Sequence, residues 1–143
     1  MTGPQEVAES AAAAMWAGDQ ASQSLGMEIV EVGPGRAVVR MTVREDMVNG
    51  HAIGHGGLTF ALADSAFAFA CNSYDRRTVA AGAEIRFRAP THLGDVLTAT
   101  ATERSREGRS GVYDVEVTGS GPSGTTVVAT FVGLSREIGG SFA

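Results

Sequence analysis

Lysine is absent from the chain; all 11 basic residues are arginine. That excludes Schiff-base chemistry on a lysine and the lysine-dependent phosphate loop. Cysteine occurs once, at Cys71, so no intrachain disulfide can form and a reducing compartment is the simpler setting. Long hydrophobic runs are missing too. The longest apolar stretches, 11–17 and 58–71, are too short or too interrupted to span a bilayer. No basic residue precedes Arg36, so the first residues show neither the basic region of a secretory signal nor the arginines of a transit peptide. A net charge of -5 argues against nucleic-acid binding by bulk electrostatics. There is no G-x-S-x-G, hence no nucleophile elbow. The expectation is a cytoplasmic protein with no nucleic-acid or membrane partner. What is there, 43% hydrophobic and 19% charged over 143 residues, is enough for one domain spanning 1–143 with its own core.

Residues 5–20 are alanine-rich and free of proline, which predicts a helix closing near Gly18. Residues 27–32 and 36–43 flank a Gly33-Pro34-Gly35 turn. In the second run Val39, Met41 and Val43 alternate with Val38, Arg40 and Thr42, so the pair reads as a hairpin with a half-buried strand. Residues 47–57, MVNGHAIGHGG, are too glycine-rich for a regular element. The next run, LTFALADSAFAFACNS over 58–73, has no Gly or Pro and is apolar on nearly every face. It predicts a helix of about four turns, buried all round, with Asp64 as its one formal charge. Beyond it the chain reads as strands over 78–89, 96–106, 111–118 and 125–136, spaced like an antiparallel meander with hairpin connections. This order fits an α+β fold in which a long antiparallel sheet curls around a central helix. An N-terminal helical segment, 1–24, precedes a core over 25–138.

A charge inside an apolar helix needs a reason, because an unpaired buried charge is costly and is either paired or kept for function. Asp64 could be a core acid bonded to a serine or a backbone amide, or a catalytic carboxylate. Gly56 and Gly57 stand where its helix begins. The first N–H groups of a helix lack internal partners and point outward with the helix dipole behind them. Without a Cβ in the way, a ligand carbonyl can approach them, as in an oxyanion hole. A plain loop-to-helix junction would look the same. Asn49 and His55 are the other polar candidates, with a simple turn and a simple cap as their structural alternatives. His51 and His55 have a metal-like H-x3-H spacing. Glycines at 50, 54 and 56 oppose a helix there and no third ligand is apparent, so no metal is expected. Cys71, in the last turn of the apolar helix, reads as a small buried filler.

Spacing adds a geometric condition. Gly56 and Asp64 lie eight residues apart, which is roughly 12 Å along one helix. A donor and a base acting on one carbonyl both need to come within about 3 Å of it. If both are catalytic, they come from two antiparallel copies of the helix, and the site lies across a two-fold interface.

The run Asn49-Gly50-His51-Ala52-Ile53-Gly54-His55-Gly56-Gly57, followed by Leu62-Ala63-Asp64, resembles the hotdog-fold thioesterases of the phenylacetic acid degradation (PaaI) type. The resemblance extends through Ala70-Cys71-Asn72-Ser73, Gly94-Asp95-Val96-Leu97 and Gly111-Val112-Tyr113-Asp114-Val115, and covers the chain from about Leu25 to Ile138. It implies a helix wrapped by an antiparallel sheet, dimerising edge to edge and often pairing again into a homotetramer. It further implies hydrolysis of acyl-CoA thioesters, with hydroxylated phenylacetyl-CoA species as the substrate class, and no cofactor beyond the coenzyme A of the substrate. Carried over by position, Gly56 N–H polarises the thioester carbonyl while Asn49 and His55 position the carbonyl or the attacking water. Asp64 of the opposite subunit acts as general base or as nucleophile. Gly57 joins the substrate-binding residues at the helix start.

Two departures from the family pattern stand out. The strand after the central helix has Ala80-Ala81-Gly82-Ala83 where many relatives have a hydroxyl residue, leaving Thr78 or Ser65 as substitutes. Ala89, not arginine, precedes Pro90. Arg88, Arg104, Arg106 and Arg109 are the candidates for the CoA phosphates, since guanidinium forks suit them, although each could equally be surface. Phe60, Phe67, Met47, Val48 and Trp16 could line an acyl pocket or the core. Two other readings stay open. One is a hotdog hydratase or dehydratase using His55 and Asp64 for proton transfer; the other is a non-catalytic acyl-CoA-binding module.

Overall fold

In the computed structural model, which describes residues 2–142, the chain forms α1 (Pro4–Gly18), α2 (Gln20–Ser24), β1 (Glu28–Gly33), β2 (Arg36–Thr42), a short 3-10 turn (Glu45–Met47), α3 (Gly56–Cys71), β3 (Thr78–Phe87), β4 (Val96–Glu107), β5 (Ser110–Gly121) and β6 (Gly124–Glu137). Pro4 sits in the first turn of α1, where its missing N–H costs nothing. Asp19 ends that helix and caps the next, its side chain accepting from Ser22 N–H. The strands make one six-stranded antiparallel sheet in the order β1-β2-β4-β5-β6-β3.

Alternation along the strands decides which face is buried. Val39 and Met41 of β2, Leu97, Ala99 and Ala101 of β4, Tyr113, Val115 and Val117 of β5 and Phe131 of β6 turn to one side and are buried against α3. From α3, Leu62, Ala63, Ala66, Phe67 and Ala70 face them. The fit is close. A Cβ on Gly133 would lie 2.7 Å from the Phe67 ring, so this glycine is the floor on which that ring rests. This is the α+β hotdog arrangement of a central helix with an antiparallel sheet around it.

Two expectations are corrected. The last four strands do not form a simple meander, because β3 pairs with β6 and not with β4. The connection 88–95 is held elsewhere: Gly54 N–H donates to Thr91 O at 2.8 Å, Ile53 bridges His92, and Val43 N–H donates to Asp95 O at 2.9 Å. These bonds tie the connection to the loop before α3 and to the end of β2, so β4 is laid beside β2 and β3 is left as an edge. Nor is α3 buried all round. Gly57, Phe60, Ala61, Asp64 and Ala68 recur at helical spacing and stay half-buried or exposed, a stripe that the chain's own sheet covers only in part.

Candidate active site

The start of α3 is built by its flanking loop. Asn49 Oδ1 accepts from His51 N–H at 2.8 Å, and Ala52 N–H donates to Asn49 O at 3.0 Å, with Ala52 in the left-handed region at φ 62°. His55 N–H then donates to Met47 O at 2.7 Å, which fixes the residue that caps the helix. His55 Nδ1 accepts from Gly57 N–H at 3.0 Å, which puts the neutral imidazole proton on Nε2.

That cap sorts the two glycines. Gly57 N–H is occupied by His55 Nδ1, which makes Gly57 part of the helix cap. Gly56 N–H, at the first helical position, has no internal partner among the described residues and retains the dipole behind it. It opens into a cavity of about 400 Å³ lined by Asn49, Thr59, Phe87, Arg88 and Pro90 among others. The Phe87 ring lies where a Gly56 Cβ would come within 3.1 Å of it, and Phe87 itself is 57% exposed. Arg88 stands at the rim, its Nε donating to Thr130 Oγ1 at 3.3 Å.

Asp64 opens into a different cavity, of about 350 Å³. Phe67, Cys71, Asn72, Arg77 and Thr78 are among its walls. No hydrogen bond or ion pair within the described residues reaches the Asp64 carboxylate. Half-burial without a donor pushes its pKa above the ordinary 3.8, through desolvation. The same surroundings push the Cys71 thiol up to about 12, by burial first and the Asp64 charge after it. Cys71 is therefore no nucleophile. The chain thus places an unpartnered helix-start N–H and an unsatisfied carboxylate in two separate cavities.

Other expected residues divide between these cavities and elsewhere. Thr78 is the hydroxyl residue near Asp64, donating to Arg76 O at 2.7 Å. Ser65 lines neither cavity; its Oγ is hydrogen-bonded with Ser22 Oγ at 2.9 Å against α2. Arg104 is committed to a two-pronged pair with Asp114. Arg106 stacks 3.5 Å from the Tyr74 ring centroid and pairs with Glu103 at 3.8 Å. Arg109 sits in the β4–β5 turn, its carbonyl accepting from Glu137 N–H. None of these three lines either cavity, so among the four arginines only Arg88 is placed to meet a ligand there. Of the suggested acyl contacts only Phe67 borders one of the two; Trp16 packs on Phe69, Phe60 on Phe131, and Met47 is core. Phe87, Arg77 and Phe142 carried no sequence signal. Strand pairing and a chain reversal bring them in, and neither is written in local periodicity. Among the described residues no group of three His, Cys, Asp or Glu could hold a metal ion, and no helix is long and apolar enough to cross a membrane.

The same fold recurs in known proteins. The model of the thioesterase superfamily matches residues 51–125, the stretch from the loop before α3 to the start of β6. The acyl-coenzyme A thioesterase PaaI of Escherichia coli (strain K12) is 45% identical over 128 residues, covering 90% of this chain and 89% of the relative. The solved structure of E. coli PaaI, from the phenylacetic acid degradation operon, superposes with a TM-score of 0.92 at 42% identity, over 97% of this chain and 99% of that one. A point mutant of the phenylacetic acid degradation protein PaaI from Thermus thermophilus superposes with a TM-score of 0.78 at 35% identity, over 84% of this chain and 100% of that one. With the fold, the helix start and the unpartnered carboxylate in view, the chain belongs to the thioesterase superfamily, among the hotdog-fold acyl-CoA thioesterases of the PaaI type.

Proposed function

We propose that the chain hydrolyses phenylacetyl-CoA-like thioesters, including ring-hydroxylated ones, at a site shared between two copies. The observation that carries this is the separation of Gly56 N–H from Asp64 into different cavities, each incomplete alone. The partly covered stripe of α3 and the unpaired outer edge of β3, where Val79 is 45% exposed, give a second copy a surface to pair with. Two antiparallel α3 helices laid along that stripe bring Gly56 of one copy to Asp64 of the other. The dimer is then the active unit, and dimers can pair again into a tetramer.

In the reaction, Gly56 N–H and the α3 dipole stabilise the negative charge that develops on the thioester oxygen. Asp64 takes a proton from water as water attacks the carbonyl carbon, or attacks that carbon itself to give a mixed anhydride that water then hydrolyses, releasing the acid and restoring the carboxylate. The thiolate of CoA leaves and is protonated. A raised carboxylate pKa suits proton acceptance. His55 holds the loop and helix start in place, and Asn49 faces the same cavity as Gly56. No metal or cofactor takes part, so chelators leave the rate unchanged. The hydratase reading asks His55 and Asp64 to flank one acyl chain, and the committed His55 cap weighs against it.

Release of free thiol from phenylacetyl-CoA by the purified protein tests the reading. Asp64→Ala should lower the rate by at least ~100-fold. Near-normal turnover in that variant would remove Asp64 from the chemistry, and binding without turnover in the native protein would leave only a binding module.

A further inference from the structure

The chain beyond β6 turns back on itself and reaches the Asp64 cavity. Gly139 and Gly140 both adopt positive φ, 89° and 88°, a conformation that favours glycine and reverses the chain here. The returning segment, 138–142, is tied down at each step. Ile138 N–H donates to Arg77 O and Arg77 N–H to Gly140 O, both at 2.9 Å. Arg77 Nε donates to Ser141 O at 3.1 Å, and Phe142 N–H donates to Asp75 Oδ1 at 2.9 Å. The Arg77 guanidinium lies 4.7 Å from the centroid of the Phe142 ring, a cation–π contact. One arginine thus holds the strap by its backbone, its Nε and its charge.

The bonds leave Ile138 and Phe142 as walls of the cavity that holds Asp64, opposite Met15, Phe67 and Ala80. Those walls are mostly apolar, and their cation, Arg77, is engaged with Ser141 O and the Phe142 ring, whereas the Gly56 cavity has Arg88 at its rim. A thioester lying across the two halves meets a largely apolar pocket on the Asp64 side and the Arg88 guanidinium on the other. From this we infer that the strap 138–142 closes the acyl end of the site, and that Phe142 is a specificity-determining residue that limits the acyl group to about one aromatic ring. The inference rests on the thioesterase reading above and adds the residue that sizes the substrate. A cavity of about 350 Å³ is at the small end of ligand pockets, so a ring that removes or restores part of it has leverage.

The test compares kcat/KM for phenylacetyl-CoA with that for a two-ring substrate, naphthylacetyl-CoA, in the native protein, Phe142→Ala and Phe142→Leu. The ratio of two-ring to one-ring activity should rise by ~10-fold or more in Phe142→Ala, with Phe142→Leu between, as expected when one hydrophobic wall is cut back. Arg77→Gln, which removes the Nε bond to Ser141 O and the cation–π contact on Phe142 but keeps the backbone bonds, should move the ratio the same way by less. A ratio that stays within about twofold in Phe142→Ala, whatever happens to the absolute rates, overturns the inference. Loss of folding alone scales both substrates equally and leaves the ratio where it was. Binding of the matching non-hydrolysable thioethers, measured by calorimetry on the same variants, gives the selectivity without turnover. A native protein that hydrolyses neither ester defeats the thioesterase reading, while the thioether selectivity still decides the role of Phe142.

Discussion

Complementation between two inactive variants tests the shared site most directly. Gly56→Pro removes the donor and little else. Gly56 is the first helical residue, where proline is favoured, and His55 before it has φ -67° and ψ 127°, which a following proline tolerates. The new ring meets Phe87, which is 57% exposed and can swing aside. Loss of one oxyanion donor costs ~100- to 1,000-fold in kcat, and Asp64→Asn costs a comparable factor, so each variant alone should retain about 1% or less. In a mixed dimer one site carries both lesions and the other carries neither. Random reassortment of equal amounts makes half the dimers mixed, each with one of its two sites intact, so activity should recover to about a quarter of native. The assay is thiol release after co-expression or after refolding the mixture, at protein concentrations where dimers form. A mixture that stays near 1% refutes the shared site, because a site contained in one protomer gains nothing from a partner broken elsewhere.

The rate of the native protein should fall on the acid side with an inflection above the ordinary carboxylate pKa of 3.8, as the direction of the Asp64 shift requires; a pH profile that is flat down to that value removes the carboxylate from the rate-limiting step. A folded-state pKa raised by burial gives stability that is complete below the unfolded pKa and lost as pH rises through the folded one. Asp64→Asn should therefore gain stability near neutrality, a gain kept small because the half-buried group retains some water and one that vanishes below the unfolded carboxylate's pKa in thermal melts at fixed protein concentration. Cys71→Ala should keep most of the activity, and intact Cys71, its thiol pushed up to about 12, should react slowly with iodoacetamide at neutral pH. Ala52→Gly should raise stability by about 0.5–1 kcal/mol, since it relieves a left-handed alanine at φ 62° against a smaller entropic cost, as read by chemical denaturation. Gly133→Ala should lower it by about 1–3 kcal/mol, because the added methyl enters the Phe67 ring.

What the sequence disclosed and what it concealed follow the range of the interactions involved. Strands β4 and β6 are legible to within about two residues because alternation and turn glycines are local signals. The central helix is legible for the same reason, to within two residues at each end, while the cap at His55 is one of two readings that the sequence leaves open. The position of β3 is not, since its partner depends on how the connection 88–95 bonds to the loop before α3, and Thr91 O finds Gly54 N–H across a long stretch of chain. The roles of the arginines were equally hidden. Arg88, Arg104 and Arg106 look alike in sequence, and only the presence of Asp114 opposite one and of Tyr74 and Glu103 beside another separates structural from available charge. The strap 138–142 has no periodicity to read; its order comes from Arg77 and Asp75, far away in sequence.

Asp64 shows why a buried-charge argument needs the structure to complete it. From sequence, an acid in an apolar helix permits a structural pair as well as a catalytic role, and a pair would have shown itself as a donor within hydrogen-bond reach. Neither Ser65 nor any arginine supplies one: Ser65 is turned to Ser22, and Arg77, the cation of the same cavity, is engaged with Ser141 O and the Phe142 ring. A carboxylate kept half out of water without a partner is a standing cost that folding alone does not explain. The same holds for Gly56 N–H, left open while its neighbour at Gly57 is capped. Two unsatisfied groups of opposite character lie on one helix, roughly 12 Å apart and opening into different cavities. In the proposed shared site they complement each other across two antiparallel copies, so the cost carried by each monomer and the proposed pairing have one cause, and stabilising either group in isolation should cost activity.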